Sequence, residues 1–134
     1  NNNNMPSFIF KNKSREWNGN HYLSVQLKGI DHNTNAVGAK INVYAHQQIL
    51  SKEIIPARGF QSSVDYKQVF GLGAMTKVDS VKIIWPNLTQ TLLQFNKLDT
   101  NYVVDQKNQI TLPFLKWEPK VDPLFEVQKN NFER

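Results

Sequence analysis

Apolar and polar residues alternate one by one along the middle of the chain, from His21 onward. In the first such run Leu23, Val25 and Leu27 are separated by polar residues, and Gly29 ends the run. A period of two is typical of a β-strand with one face buried and the other in water. The same alternation, interrupted by Gly, Pro and Asn residues typical of turns, predicts eight strands, at residues 21–28, 41–45, 49–55, 66–72, 78–85, 89–95, 102–105 and 110–112.

No stretch of about twelve residues carries the 3.6-residue period of an amphipathic helix. Strands that recur with turn signals between them predict an all-β fold, an antiparallel β-sandwich, with a small open β-barrel as the alternative. We expect one β domain at residues 21–112. Residues 1–20 form an N-terminal arm or linker, and residues 113–134, broken by three prolines, form a C-terminal tail.

Several residues of the predicted strands are expected to determine the fold. Trp85 shares one strand face with Val81 and Ile83 and is predicted to lie in the core, and Pro86 is predicted to end that strand because it has no N–H for the ladder. Phe70 and Leu72 are expected to close one end of the sandwich. At four positions we expect glycine to be required by a positive φ angle or by a close approach of another backbone segment: Gly38, Gly59, Gly71 and Gly73.

The charge of the chain changes this picture little. Among 134 residues, 16 Lys and Arg stand against 11 Asp and Glu, a net charge of +5, and the basic residues are dispersed. We therefore do not expect a nucleic-acid stripe. A single-stranded nucleic-acid-binding β face remains the alternative function, with Tyr44 as a stacking ring and four lysines along the face: Lys28, Lys40, Lys52 and Lys82.

Reactive chemistry is sparse in the sequence. Cysteine is absent, and the three histidines, at positions 21, 32 and 46, have no metalloprotease spacing. Ser62 and Ser63 lack the nucleophile elbow, and no phosphate-binding loop is present. We therefore predict no enzyme activity, no catalytic residues, no cofactor and no metal. Possible contact residues are exposed aromatics and one arginine: Trp17, Tyr44, Arg58 and Trp117. Of these, Trp17 and Trp117 are expected to pin the two arms onto the domain rather than to stack on a ligand.

Five segments, in order, resemble one known domain. The first is an opening strand at 20–29, and the second is an Asn-x-x-x-x-Gly-Ala loop with Asn33, Gly38 and Ala39. The third is a Gly-Phe-x-Ser step with Gly59, Phe60 and Ser62. The last two are a Phe-Gly-Leu-Gly run at 70–73 and a Val-Asp strand at 78–86 that ends in Trp85-Pro86. Together they are similar to the ASPIC/UnbV domain family, to which relatives of cartilage acidic protein belong. The chain departs from the family pattern at Thr34, at Ser63 and after Pro86, where the usual arginine, glutamine and glycine are missing.

The resemblance implies a non-catalytic binding or scaffold module that stands beside FG-GAP or VCBS-type β-propeller repeats. Its partners would be the flanking repeats of the same polypeptide and a glycan or protein ligand, and its location extracellular, periplasmic or cell-surface. Residues 8–12 resemble the closing strand of a propeller blade, and residues 123–132 resemble the start of another propeller segment. The calcium loops of such repeats are missing, so no metal is assigned, and no apolar run is long enough for membrane insertion. The first six residues do not resemble a natural N-terminus, so we expect a segment of a longer polypeptide with its export signal upstream.

Overall fold

The structure, a computed structural model, describes residues 6–113. The predicted C-terminal tail, its resemblance to a propeller segment and Trp117 lie outside the described residues, apart from Pro113 itself.

One short helix and eight strands make up the described part of the chain. The helix, α1, is Ser14–Asn18. Each of the eight predicted strands overlaps an observed one, and the observed strands are β1 (His21–Lys28), β2 (Lys40–Ala45), β3 (Gln48–Glu53), β4 (Gln68–Gly73), β5 (Ser80–Ile84), β6 (Thr89–Leu93), β7 (Thr100–Asp105) and β8 (Leu112–Pro113). A 3₁₀ turn, Gln106–Asn108, follows β7.

The strands form two sheets, and the predicted all-β sandwich is confirmed. One sheet has the strand order β4-β1-β7, and the other has the order β3-β2-β5-β6-β8. Neither sheet closes on itself, so the alternative of a small barrel is wrong.

One pairing departs from the antiparallel expectation. The strands β1 and β7 are parallel, with Leu23 opposite Thr100 and Lys28 opposite Asp105. Alternation along a strand shows which residues face the core, but it carries no information about the direction of the neighbouring strand. The parallel pair gives β1 two neighbours, so its backbone is in the middle of the smaller sheet.

The core fills the space between the two inner sheet faces. Leu23, Val25 and Leu27 of β1 are at most 2% exposed, as the alternation predicts. They face Ile41, Val43, Val81 and Ile83 of the larger sheet, which are fully buried. Trp85 is the largest fully buried side chain, at 1% exposure, which agrees with its predicted place in the core.

The sandwich has two ends, which we name after residues in their loops. The Pro86 end contains the 29–39 loop, the turn after β5 and the 3₁₀ turn. The Asp99 end contains the start of β1, the β2–β3 turn and the loop that follows β4. The strand β1 runs from the Asp99 end to the Pro86 end, a distance of roughly 25 Å for eight residues.

The N-terminal arm differs from the expectation in two ways. Residues 14–18 form one helical turn, which ends at Gly19 in the left-handed region with φ 63°. Trp17, in that helix, is 77% exposed, so the prediction that it pins the arm to the domain is wrong. Its ring instead lies 5.9 Å from the Lys13 Nζ, and both groups remain at the surface. The contacts that hold the arm involve Arg15 and are described below.

Replacement of Trp85 by Ala should lower the free energy of unfolding by about 3–5 kcal/mol, because a buried indole leaves a large cavity. Trp17→Ala is the matched control, since its ring is exposed, and it should change stability by less than about 0.5 kcal/mol. Chemical denaturation of both variants measures the two values. Equal losses in the two variants would contradict the assignment of Trp85 to the core.

Candidate functional site

The loop from residue 29 to residue 39 is held in shape by the side chain of Asn33. Its Oδ1 accepts a hydrogen bond from the backbone N–H of Val37 at 2.8 Å, and its Nδ2 donates to the Val37 carbonyl at 2.9 Å. Gly38, with φ 87°, then donates its backbone N–H to the Ile54 carbonyl, and the Ile54 N–H donates to the Ala39 carbonyl. One amide therefore closes the loop on itself, and two backbone bonds fasten it to the chain after β3.

Gly29 allows the start of this loop to lie directly against the backbone of residues 33–36. Its backbone N–H donates to the Thr34 carbonyl at 2.9 Å. A Cβ at this position would overlap the backbone carbonyl oxygen of Asn33 and lie 3.1 Å from the Ala36 nitrogen. Any residue larger than glycine would push these two segments apart. Ala36 is fully buried and has φ 50°, so the loop is a tightly packed structure that extends the core.

The turn after β5 faces this loop. The Trp85 indole Nε1 donates to the Thr91 Oγ1 at 2.8 Å, which satisfies the one polar group of a buried ring. The Trp85 backbone closes the turn, since its N–H donates to the Thr89 carbonyl and its carbonyl accepts from the Leu88 N–H. Pro86 stands exposed just after the end of β5, as predicted from its missing N–H.

Asn87 connects this turn to the 3₁₀ turn. Its Oδ1 accepts hydrogen bonds from the Thr89 Oγ1 at 2.8 Å, from the Thr89 N–H at 3.3 Å and from the Gln106 Nε2 at 3.3 Å. Gln106 is only 6% exposed, although its side chain is polar.

A pocket of about 360 Å³ opens between the loop, the turn after β5 and the 3₁₀ turn; we call it the Pro86 pocket. Its apolar walls are Ile30, Ala36 and Pro86, and Asn87 and Gln106 supply side-chain amides. Asp31 and His32 stand exposed at its rim. Two segments of the resemblance, the Asn33 loop and the Trp-Pro turn, thus meet at one concave surface.

The Gly-Phe-x-Ser step is also at the Pro86 end, on a projecting hairpin. The Val64 N–H donates to the Pro56 carbonyl at 2.9 Å, and the Arg58 N–H donates to the Ser62 carbonyl at 3.1 Å. At the tip Gly59 has φ 71° and Phe60 is 89% exposed. The motif therefore shapes a turn and contributes nothing to the core.

The Phe-Gly-Leu-Gly run forms β4, where Phe70 and Leu72 face the core at 2% and 1% exposure. Gly73 has a positive φ angle, as do Gly38 and Gly59, so the expectation for these three glycines is confirmed. It is wrong for Gly71, whose φ angle is not positive and whose added Cβ would contact nothing.

The Val-Asp step braces the other end of the sandwich. The Asp79 N–H donates to the Tyr44 carbonyl at 2.8 Å, and its Oδ2 accepts from the His46 N–H at 3.1 Å. His46 and Gln47 form the β2–β3 turn, both with positive φ angles that glycine or asparagine would adopt more easily. Asp79 therefore stabilises a turn whose two residues, His46 and Gln47, do not favour the positive φ angles that the turn requires.

Asp99 is the centre of a polar cluster that sequence reasoning missed. The His21 Nδ1 donates to its Oδ2 at 2.8 Å, and the Tyr22 N–H donates to its Oδ1 at 3.1 Å. The Arg15 guanidinium lies 3.5 Å from the Oδ2 and 5.3 Å from the centre of the Tyr22 ring. The hydrogen bond from His21 lowers the pKa of the Asp99 carboxyl; the Tyr22 N–H and the Arg15 charge act in the same direction, and partial burial acts against them.

This cluster attaches the arm to the domain, because Arg15 is in α1 and His21 begins β1. Asp99 and His21 are 78 positions apart in the sequence, so no local spacing could have paired them. The one local signal is the φ angle of 55° at Asp99, a conformation that Asp and Asn tolerate better than most residues.

The predicted contact residues do not form one surface. Trp17 is exposed on α1, whereas Arg58 is exposed on the hairpin at the opposite end. Tyr44 is half-buried on the outer face of β2, with the Lys82 Nζ 5.9 Å from its ring.

The four lysines proposed for a nucleic-acid face are also dispersed. Lys28 belongs to the smaller sheet and the other three to the larger one. Lys40 pairs with Glu53 at 3.7 Å, and the Lys52 Nζ donates to the Val69 carbonyl at 2.7 Å. Only Lys40 and Lys82 share the outer face of the larger sheet, and two cations are too few to follow a nucleic-acid backbone.

Among residues 6–113 no group of three His, Asp or Glu side chains could hold a metal ion. In the same part of the chain no helix is long and apolar enough to cross a bilayer.

A comparison with known protein families identifies a match. The family model described as ASPIC and UnbV matches residues 29–111, more than half of the chain. The match begins just after β1, and it includes the Asn33 loop, the hairpin and the turn after β5. No curated protein matches the sequence.

Replacement of Asn33 by Ala should destabilise the fold by about 1–2 kcal/mol, because two hydrogen bonds that close the loop are lost. Asn35→Ala is the matched control: this exposed neighbour makes no side-chain hydrogen bond within the described residues, and its replacement should cost less than about 0.5 kcal/mol. Urea denaturation measures both. A loss at Asn33 no larger than that at Asn35 would contradict the role of the amide.

The Asp99 carboxyl should titrate below its ordinary value of 3.8, as followed by the NMR chemical shift of its Cγ. Since its pKa is lowered in the folded state, the stability it contributes is present above the pKa of the unfolded chain and is lost as pH falls through the folded value. Asp99→Asn keeps the shape and tolerates the positive φ angle. The stability difference between wild type and this variant should therefore shrink between about pH 5 and pH 2. A difference that stays constant over that range would contradict the assignment.

Proposed function

Because this chain belongs to the ASPIC and UnbV family, we propose that it is a non-catalytic binding and scaffold module of a larger exported or cell-surface β-propeller protein. In this role its N-terminal arm packs against a neighbouring β domain of the same polypeptide, of FG-GAP or VCBS type. The opposite end of the sandwich stays free for a protein or glycan ligand.

The observation that supports this proposal best is the exposed apolar arm. Phe8, Ile9 and Phe10 are 68%, 95% and 88% exposed, an unusual concentration of apolar surface for three consecutive residues. The rings of Phe8 and Phe10 lie 6.2 Å apart, as expected for residues two apart on one side of an extended segment. Within the described residues no backbone hydrogen bond involves residues 6–10. An extended apolar segment of this kind has the character of a strand that pairs with the edge of another sheet.

The charges of the arm indicate what kind of surface it packs against. Lys11 and Lys13 pair with Glu16 at 2.9 Å and 3.7 Å, and Arg15 pairs with Asp99. These three cations share two carboxylates and leave one net positive charge, so the packing of the arm depends more on its apolar residues than on acidic groups of the neighbour. That neighbour needs an apolar face and a free strand edge, which a propeller blade can offer.

The cluster around Asp99 determines where the arm is attached to the domain. Asn20 adds a further bond, since its Nδ2 donates to the Ser14 Oγ at 2.6 Å. Because α1 is held at the Asp99 end, the arm leaves the domain at the end opposite to the Pro86 pocket.

The absence of catalysis is part of the proposal and is supported by how the polar groups are used. The carboxylate–imidazole pair of Asp99 and His21 holds the arm and the β1 backbone in place. At the Pro86 pocket, Asp31 and His32 stand at the rim with no side-chain hydrogen bond among the described residues. Neither pair resembles a nucleophile with an oriented base.

Hydrogen exchange in the full polypeptide tests the packing of the arm. The amides of residues 8–10 should exchange about 100-fold more slowly in the polypeptide encoded by the complete reading frame than in the 134-residue chain, which corresponds to ~3 kcal/mol of local protection. The double variant Phe8→Ser, Phe10→Ser should lose this protection. Phe60→Ser is the matched control, since it removes an equally exposed ring at the other end, and it should retain the protection.

Equal exchange rates in the long polypeptide and the 134-residue chain would refute the packing. A reading frame that encodes no neighbouring β domain would refute it as well.

A further inference from the structure

The Pro86 pocket is a concave surface at which two motif segments of the chain, the Asn33 loop and the Trp85-Pro86 turn, meet. From its lining we infer that it binds a neutral saccharide, one pyranose ring at a time. This inference rests on the proposed role as a binding module, and it adds the site and the class of ligand.

The pocket has the size and rigidity of a small-ligand site. Its volume of about 360 Å³ is near the lower limit for such sites, which suits a ligand of one ring. The Asn33 amide and the close contact at Gly29 hold one wall in place, and the hydrogen bonds of Trp85 hold the other. A wall that is fixed before binding costs little conformational entropy when the ligand arrives.

The charge of the lining selects against anions. No Lys or Arg is found among the described residues that line the pocket, and its one carboxylate is that of Asp31. A phosphate, a carboxylate or a nucleic acid would therefore find no permanent cation in the lining. The ligand that fits best is neutral.

The amides supply a donor and an acceptor side by side. The Asn87 Oδ1 already accepts three hydrogen bonds, whereas its Nδ2 donates none within the described residues. The Gln106 Nε2 donates to Asn87, and the Gln106 Oε1 accepts no bond there. No fully buried side-chain N or O atom of a residue such as Gln106 lacks a partner in this part of the chain, so the Gln106 Oε1 has some exposed surface. Asn87 is itself an exposed residue of the pocket lining.

Hydroxyl groups match this pair. A hydroxyl both donates and accepts, so one hydroxyl of a ring can donate to the Gln106 Oε1 while the next accepts from the Asn87 Nδ2. Since Gln106 is 6% exposed, its carbonyl is poorly hydrated and gains from a new donor. Asn33 has no free group to add, because both of its amide atoms bond to Val37.

The remaining walls favour an aliphatic ring over a planar one or a peptide. Ile30 and Pro86 offer CH surface, and no Phe, Tyr or Trp ring lines the described pocket on which a base could stack. The pocket is bounded by a loop and two turns, so it has no strand edge for an extended peptide. The CH face of a pyranose can lie against these walls while its hydroxyls reach the two amides.

A titration of the ¹⁵N-labelled 134-residue chain with methyl glycosides of glucose, galactose, mannose and N-acetylglucosamine tests the site. A ligand of one ring with two new hydrogen bonds should bind with a dissociation constant on the order of 1 mM, so glycoside concentrations up to about 50 mM are sufficient. At least one glycoside should shift the Gly29 and Asn33 amides and the side-chain amides of Asn87 and Gln106. Inorganic phosphate and a blocked glycine peptide should leave them unchanged.

Gln106→Met keeps the length of the side chain and removes its carbonyl, and it should weaken glycoside binding about tenfold. Gln47→Met makes the same change in the turn at the Asp99 end and should leave binding unchanged. If Gln106→Met does not fold, the shift map of the wild-type protein alone still locates the ligand.

Four results would overturn the inference: no shifts with any glycoside, shifts confined to Trp17 or Phe60, equal binding in Gln106→Met, or shifts in the pocket with phosphate or the peptide instead. None of these results bears on the arm, whose packing is measured by hydrogen exchange. Failure of the saccharide site and failure of the scaffold role are therefore distinguishable.

Discussion

The burial of the Trp85 indole is the contact on which most of this structure depends. The ring is the largest side chain enclosed between the two sheets, and its one polar group is satisfied by Thr91 of the adjacent strand. Because the ring is held from inside, the backbone of Trp85 can close a tight turn with Thr89 immediately outside the core. That turn places Pro86 and Asn87 at the surface, where they become a wall of the pocket. The burial of Trp85 in the core thus determines the position of one wall of the Pro86 pocket at the surface.

How much of the fold could be predicted from the sequence depends on how far apart in the chain the contacting residues are. Alternation predicted β1 at residues 21–28 with its observed bounds, because the side-chain period of a strand is a local property. It could not predict the parallel neighbour β7, since the pairing joins residues 77 positions apart and depends on how loops close. The one-turn helix α1 was missed because five residues are too few to show a helical period.

The candidate sites divide in the same way. The motif residues identified Asn33 and Trp85 individually, but only the fold shows that their loops face each other across a pocket. Gln106, which supplies one of its amides, carries no signal in the sequence, since a single glutamine after a strand is ordinary. The prediction for Trp17 failed because an aromatic ring beside a domain was assumed to be buried, whereas the arm is held by the carboxylate of Asp99.

The direction of the chain through the sandwich has a mechanical consequence. The backbone comes in at His21, at the Asp99 end, and the last described residue, Pro113, pairs with Thr89 at the Pro86 end. These two points are therefore at opposite ends of the sandwich. Tension applied between these two points is directed along the strands. It loads the long ladders of β1 in shear, whereas β8 pairs with β6 through two residues only, so that short pairing is the first to give way.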